Sequence, residues 1–254
     1  MLIDMHTHLW VQDGSRETAE ENKRTILKTC ENFQVDRIYL SSLGSYYPDE
    51  EEIRCLNRMT YDFMREYPEL VRGYCYLNPR NPDTMEELRR GIEEYGMSGV
   101  KLWVATFCDD PLVNPIAEQC IRYGVPLLIH AFYKADGQLE FESLGENVEN
   151  LANRYPEAKL IMAHLGANCY RELRPVRDCP NVWADFSGSI FHSDDLAYAK
   201  KLLGAKRLLF GTDMPGIAFH VSWGQWMSAD FTPEEREMVG WKNALELFEG
   251  GDKA

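Results

Sequence analysis

Eight short apolar segments, each followed by a longer charged and amphipathic stretch, constrain the fold of this chain more than any other feature. They cover residues 2–5, 37–43, 71–77, 99–104, 126–131, 159–164, 182–187 and 207–212. Successive segments begin roughly 25 to 35 residues apart, the length of a strand-plus-helix unit. The stretches between them carry helical spacing. In residues 18–33, for example, Ile26, Leu27, Cys30 and Phe33 fall on one face among Glu and Lys. Asn81-Pro82-Asp83-Thr84 opens another helix, with Pro and Asp where a first turn favours them. Eight such repeats in 254 residues predict an α/β fold, a closed (β/α)8 TIM barrel in a single domain spanning 1–254. The open doubly wound sheet is the competitor, but no Gly-x-Gly-x-x-Gly follows the first strand.

A barrel gathers its chemistry at the carboxyl ends of the strands. The first segment runs into His6 and His8, whose i, i+2 spacing in a strand aims both rings to one side. Lys101 lies in the fourth strand, His130 ends the fifth, His164 the sixth, and Asp213 follows the eighth. Four of the six histidines thus fall on one predicted face.

Neutral imidazole with a carboxylate suits zinc and related divalent ions, leaving an open position for water. Three of these histidines and Asp213 can hold one ion, and water on such an ion ionises near neutral pH. Asp213 can take that water's proton and pass it to a leaving group. His164 can polarise a carbonyl or act as an acid beside the metal. Asp4, deeper on the same side of the first strand, can orient a ligand histidine.

Asp4-Met5-His6-Thr7-His8, Gly99-Val100-Lys101-Leu102, Ile129-His130, Ala163-His164-Leu165-Gly166 and Phe210-Gly211-Thr212-Asp213-Met214-Pro215 span nearly the whole chain. In this order they resemble the amidohydrolase superfamily, and within it the branch of aminocarboxymuconate-semialdehyde decarboxylase-like and dicarboxylate lactonase-like proteins. The resemblance implies a metal held by His6, His8, His130 and Asp213, with His164 as an adjacent catalytic group. The ion is expected to be zinc, with manganese as the other option. One ion is expected. Two are implied if Lys101 is carbamylated and bridges them, as in binuclear relatives. In mononuclear relatives the equivalent lysine need not touch metal, and Lys101 would then pair with a carboxylate such as Asp4 or Asp185. The chain departs from its relatives in being short, which limits its loops, and in lacking the second glycine often found after the sixth-strand histidine.

The expected activity is hydrolysis of a small ester, lactone or amide by a metal-activated water. The alternative is metal-dependent, non-oxidative decarboxylation of an unsaturated or aromatic carboxylic acid. A scaffold with a retired site would show a broken ligand set, and here every position is filled. A metal-dependent nuclease is disfavoured, because Lys101 stands where nuclease-like relatives carry a glutamate. The formal charge of −14 would also repel a polyanion.

The remaining signals set context. Trp10, Trp103, Phe107, Phe132 and Tyr133 follow strand ends, and Trp103 and Phe132 are taken as substrate-binding candidates. His192 can start a helix or touch substrate, and His220 lies in a long last loop. Arg171 can bind a substrate carboxylate or sit solvated on the next helix. The seven cysteines lack a Cys-x-x-Cys and read as reduced thiols rather than a disulfide framework. With no apolar run near the roughly 20 residues that span a bilayer, a cytoplasmic protein is expected. It would have no nucleic-acid or membrane partner, a small-molecule substrate, and a homodimer as the default assembly. Residues 249–254 read as a frayed tail.

Overall fold

The computed structural model describes residues 1–11, 16–189 and 191–250. Eight strands form one sheet in sequence order: β1 (Ile3–Trp10), β2 (Arg37–Leu43), β3 (Val71–Leu77), β4 (Gly99–Leu102), β5 (Leu127–Ile129), β6 (Leu160–Met162), β7 (Val182–Asp185) and β8 (Leu208–Leu209). Every neighbouring pair is parallel. The ring closes between β8 and β1, where Met5 N–H donates to Phe210 O at 3.0 Å and His8 N–H to Met214 O at 2.9 Å. The barrel expected from the eight repeats is therefore the fold.

Helices separate the strands. The main ones are α1 (Arg16–Phe33), α2 (Glu50–Glu66), α3 (Thr84–Arg89), α4 (Asn114–Tyr123), α5 (Gly145–Arg154), α6 (Cys169–Glu172), α7 (Asp195–Leu203), α8 (His220–Ser228), α9 (Pro233–Glu237) and α10 (Asn243–Glu249). Their ends follow local chemistry. Asp49 accepts from Glu52 N–H at 2.9 Å to cap α2, and three glutamates in the first turn face its positive end. Thr232 and Glu235 form a reciprocal capping box at α9, with Pro233 in the first turn.

Two apolar layers hold the barrel. One lies between strands and helices, with Ile26, Leu56, Phe63, Leu88, Ile116 and Leu151 facing the outer side of the sheet. The other plugs the interior below the site: Ile3, Met5, Tyr39, Tyr74, Leu128, Ile161 and Leu209. Phe248 of α10 stacks on Tyr39 at 3.9 Å and Leu247 joins the plug, closing the floor. Tyr74 can lie in this layer because its hydroxyl donates to Met5 O at 2.9 Å.

Two boundaries differ from expectation. β1 does not stop before the histidines but carries both, because Thr7 to Trp10 go on pairing with β2 as far as Leu43. The register shifts between Asp4 and Thr7, a bulge that bends the strand beneath His6. Glu249 belongs to α10 and pairs with Arg37 rather than fraying, while 251–254 lie outside the described residues. Six cysteines are buried and Cys55 is exposed. Among the described residues no helix is long and apolar enough to cross a membrane.

Candidate metal centre

The strand ends bring His6, His8, Lys101, His130, His164 and Asp213 into one group at the barrel mouth. His6 Nε2 lies 3.0 Å from His8 Nε2 and 3.2 Å from Lys101 Nζ. His8 Nε2 is 3.4 Å from Asp213 Oδ1. On the opposite wall, His130 Nδ1 lies 3.1 Å from His164 Nε2. His6, His8, Lys101 and His164 are all buried, and the Asp213 side chain is 16% exposed.

Two of these side chains hang from unusual backbone. His164 and Asp213 sit at φ 62° and 63°, the left-handed region that non-glycine residues seldom adopt. The surroundings hold them there. His164 N–H donates to Asp185 Oδ1 at 3.1 Å, and Asp213 N–H donates to His6 O at 2.7 Å. Glycines make room beside His164 and beside His6. A Cβ on Gly188, itself at φ 106°, would lie 2.9 Å from His164 Nδ1, and one on Gly211 would lie 3.0 Å from His6 Cβ.

Asp185, the last residue of β7, is the organiser that sequence reasoning undervalued. Its Oδ2 lies 3.0 Å from His6 Nδ1, and its Oδ1 accepts from Ser187 N–H at 3.0 Å. The Ser187 hydroxyl is 2.5 Å from Asp185 Oδ1, 3.0 Å from His6 Nδ1 and 2.9 Å from His164 Nδ1. A serine carries one hydroxyl proton, so that proton can serve only one acceptor at a time. Lys101 hydrogen-bonds to His6 rather than to either carboxylate expected for it. Asp4 does not touch an imidazole. It accepts from Thr212 Oγ1 at 2.5 Å and from the backbone N–H groups of His6 and Thr212 at 3.1 Å, fixing β1 to the β8 loop. A polar residue ending β7 on the same face as the other site residues was the available signal for Asp185.

Glu142 was missed altogether. It lies in the loop between β5 and α5, 2% exposed, with Oε1 at 2.9 Å from His130 Nε2. No periodicity marks a single glutamate in an irregular loop, so the sequence carried no signal for it.

Burial sets the protonation of this cluster. It holds His6, His8 and His164 well below the ordinary imidazole value, reinforced by Lys101 at His6, by His6 at His8 and by His130 at His164. It lifts the Asp213 carboxyl to about 7, against the opposing pull of Lys101, and lowers Lys101 to about 8, against Asp213 and Asp185. Neutral imidazoles beside a carboxyl poised near neutrality are the donors a divalent cation requires.

One set fits such an ion well. The donor atoms of His6, His8 and Asp213 all lie within 4.8 Å of one another. Two ring nitrogens face each other there, and Asp213 Oδ1 is buried without a hydrogen-bond partner. An unpaired buried carboxylate oxygen is costly unless a cation satisfies it. The set His6, His164 and Asp185 is equally compact, but Ser187 already ties its atoms together. His130 is in neither set, since its two nitrogens face His164 and Glu142.

A cavity of about 550 Å³ opens beside Asp213, lined among others by Trp10, Asn22, Pro215 and Gly216. Trp10 Nε1 is buried there without a partner. Trp103 sits behind it, edge-on to Trp10 at 5.5 Å and to Tyr46 at 5.0 Å. Phe132 stacks on His130, with ring centroids 5.7 Å apart and planes 3° from parallel. His192 lines a separate pocket of about 220 Å³ with Cys169 and Asp195. Its backbone N–H donates to Asp195 Oδ2 at 2.6 Å, just before α7. His220 opens α8 at the surface, and Arg171 is exposed with its guanidinium over the Tyr133 ring.

The amidohydrolase family model matches residues 3–250. No curated protein matches the chain in sequence. Among solved structures, a 5-carboxyvanillate decarboxylase from Sphingomonas paucimobilis is similar at TM-score 0.79 and 17% identity, covering 98% of each chain. A dihydroxybenzoic acid decarboxylase from a Polaromonas species, solved with manganese and 2-nitroresorcinol, is similar at 0.77 and 18%, over 98% of this chain and 96% of that one. An amidohydrolase-like protein from Staphylococcus aureus is similar at 0.77 and 17%, over 98% and 99%. At these identities the likeness is one of fold, whereas the family match runs unbroken from β1 into α10, and the chain belongs to the amidohydrolase family.

Proposed function

We propose that this protein is a divalent-metal-dependent hydrolase of a small ester, lactone or amide. The orphaned Asp213 Oδ1 facing the paired Nε2 atoms of His6 and His8 carries this reading. His6, His8 and Asp213 would hold the ion, and His130, whose Nδ1 faces the histidine cluster, is the fourth ligand in this reading. The donor set favours zinc, and the manganese in the Polaromonas enzyme makes that ion the second choice. A cation held there supplies Lewis acidity to a carbonyl and to water.

The chain's own groups handle the protons. Asp213, with one carboxylate oxygen free of protein partners, accepts the proton of the attacking water and returns it to the leaving oxygen or nitrogen as the carbon–heteroatom bond breaks. The His164 imidazole, kept neutral by burial, hydrogen-bonds the oxygen that gains charge. The Lys101 ammonium, fully buried at 3.2 Å from His6 Nε2, places a positive charge on the same side. Trp10 Nε1 offers an unpaired donor at the cavity wall for a substrate oxygen.

Decarboxylation is the second reading, and the printed activities of the Sphingomonas and Polaromonas neighbours favour it. There Asp213 would protonate the ring carbon that loses carbon dioxide. A panel of lactones, esters, amides and hydroxybenzoates, assayed for both titratable acid and carbon dioxide with metal-loaded protein, separates the two. Acid without gas supports hydrolysis. Gas from a hydroxybenzoate replaces it with decarboxylation.

A further inference from the structure

We infer that Glu142 is a positioning residue that fixes the ring and tautomer of His130 for the metal. The inference rests on the metal-centre reading above and extends it to a loop that reading does not use. The excursion from β5 to α5 is stitched at its base, with Phe132 N–H donating to Ser143 O at 3.0 Å. Its return leg drives Glu142 into the barrel mouth, where every contact serves to hold the carboxylate. Lys134 Nζ lies 2.8 Å from both oxygens, Gln138 Nε2 donates to Oε2 at 2.9 Å, and Leu139 N–H donates to it at 3.3 Å. Oε1 keeps a second contact, to His130 Nε2 at 2.9 Å. A buried carboxylate so supplied is not an accident of packing, since each unmet oxygen would be costly.

The consequence falls on His130. A carboxylate beside an ammonium only accepts hydrogen bonds, so it selects the imidazole tautomer with its proton on Nε2. The lone pair then lies on Nδ1, the nitrogen that faces the histidine cluster, 3.1 Å from His164 Nε2. Phe132 lies parallel to the ring, with centroids 5.7 Å apart. Across the mouth Asp185 stands in the same relation to His6, contacting Nδ1 while Nε2 faces His8. Two carboxylates at the two ends of one chain of contacts thus aim two imidazoles inward, the arrangement by which outer carboxylates raise the donor strength of ligand histidines.

The test is a titration of metal-free wild type, Glu142→Gln and Gln138→Ala with Zn2+ and Mn2+, alongside thermal melts and absorption spectra of the cobalt-loaded proteins. Glu142→Gln is expected to weaken metal binding by about 10- to 100-fold and to shift the cobalt bands. Gln138→Ala loosens the same loop but leaves the His130 contact, and its metal affinity should match wild type. Wild-type affinity and spectrum in Glu142→Gln would overturn the inference. So would an equal loss in Gln138→Ala, which would make the loop merely structural. Failure of all three proteins to take up metal would instead refute the metal-centre reading on which it rests.

Discussion

The two walls of the barrel mouth contrast sharply. On the β1–β8 side, His6 and His8 point nitrogens at each other, Asp213 Oδ1 has no partner, and Trp10 Nε1 is unpaired. On the β5–β7 side, hydrogen-bond contacts run from Lys134 and Glu142 through His130, His164 and Ser187 to Asp185 without a gap. The unpaired Asp213 Oδ1 and Trp10 Nε1 are themselves buried, although a cavity opens beside them. Where a protein leaves costly buried groups unmet at the edge of a cavity, a ligand is expected to meet them. Where every group is met, the wall holds geometry and moves protons. The first wall is built to receive, the second to hold.

The largest expected effects come from removing the receiving atoms. His8→Ala or Asp213→Asn should abolish turnover and leave metal sub-stoichiometric by elemental analysis, with circular dichroism unchanged. Either variant with full metal content would collapse the distinction between the walls. His164→Asn probes the second wall. It should also abolish turnover but retain metal, and loss of the ion as well would move His164 into the ligand set.

Ser187→Ala comes next. It removes the hydroxyl shared by His6, His164 and Asp185, leaves both imidazoles in place, and should lower kcat by about 10- to 100-fold with metal retained. An unchanged kcat would show that the Ser187 proton does not matter. The smallest effect should come from the barrel floor. Tyr74→Phe deletes the hydrogen bond to Met5 O and should cost about 1 kcal/mol in denaturant melts without touching metal or rate. Altered metal binding there would mean that the floor and the site are not mechanically separate.

The barrel was legible because each strand is an apolar run of a few residues and each helix shows period 3.6, patterns imposed locally by burial on one or both faces. His6, His8, His130, His164 and Asp213 were legible because they punctuate those runs at a recurring position. Asp185 stood in the same kind of position but was weighed only as a partner for Lys101. Its contacts to His6 and Ser187 depend on how β7 packs beside β1 across the closed ring, which no local pattern encodes. Glu142 could not be read at all, since its place is set by a loop stitched through Ser143 and clamped by Lys134. Asp4 holds a ligand histidine only through the backbone N–H of His6, not through its ring. The bulge after Asp4 turns its carboxylate to Thr212, and strand alternation does not foresee bulges.

The metal content of the purified, metal-loaded protein tests the β1–β8 centre most directly. One divalent ion per chain, lost in His8→Ala, is the predicted result. Two ions per chain, with uptake dependent on carbon dioxide and abolished in Lys101→Ala, would contradict the mononuclear centre. No ion at all would contradict the reading of the unmet atoms on the β1–β8 wall.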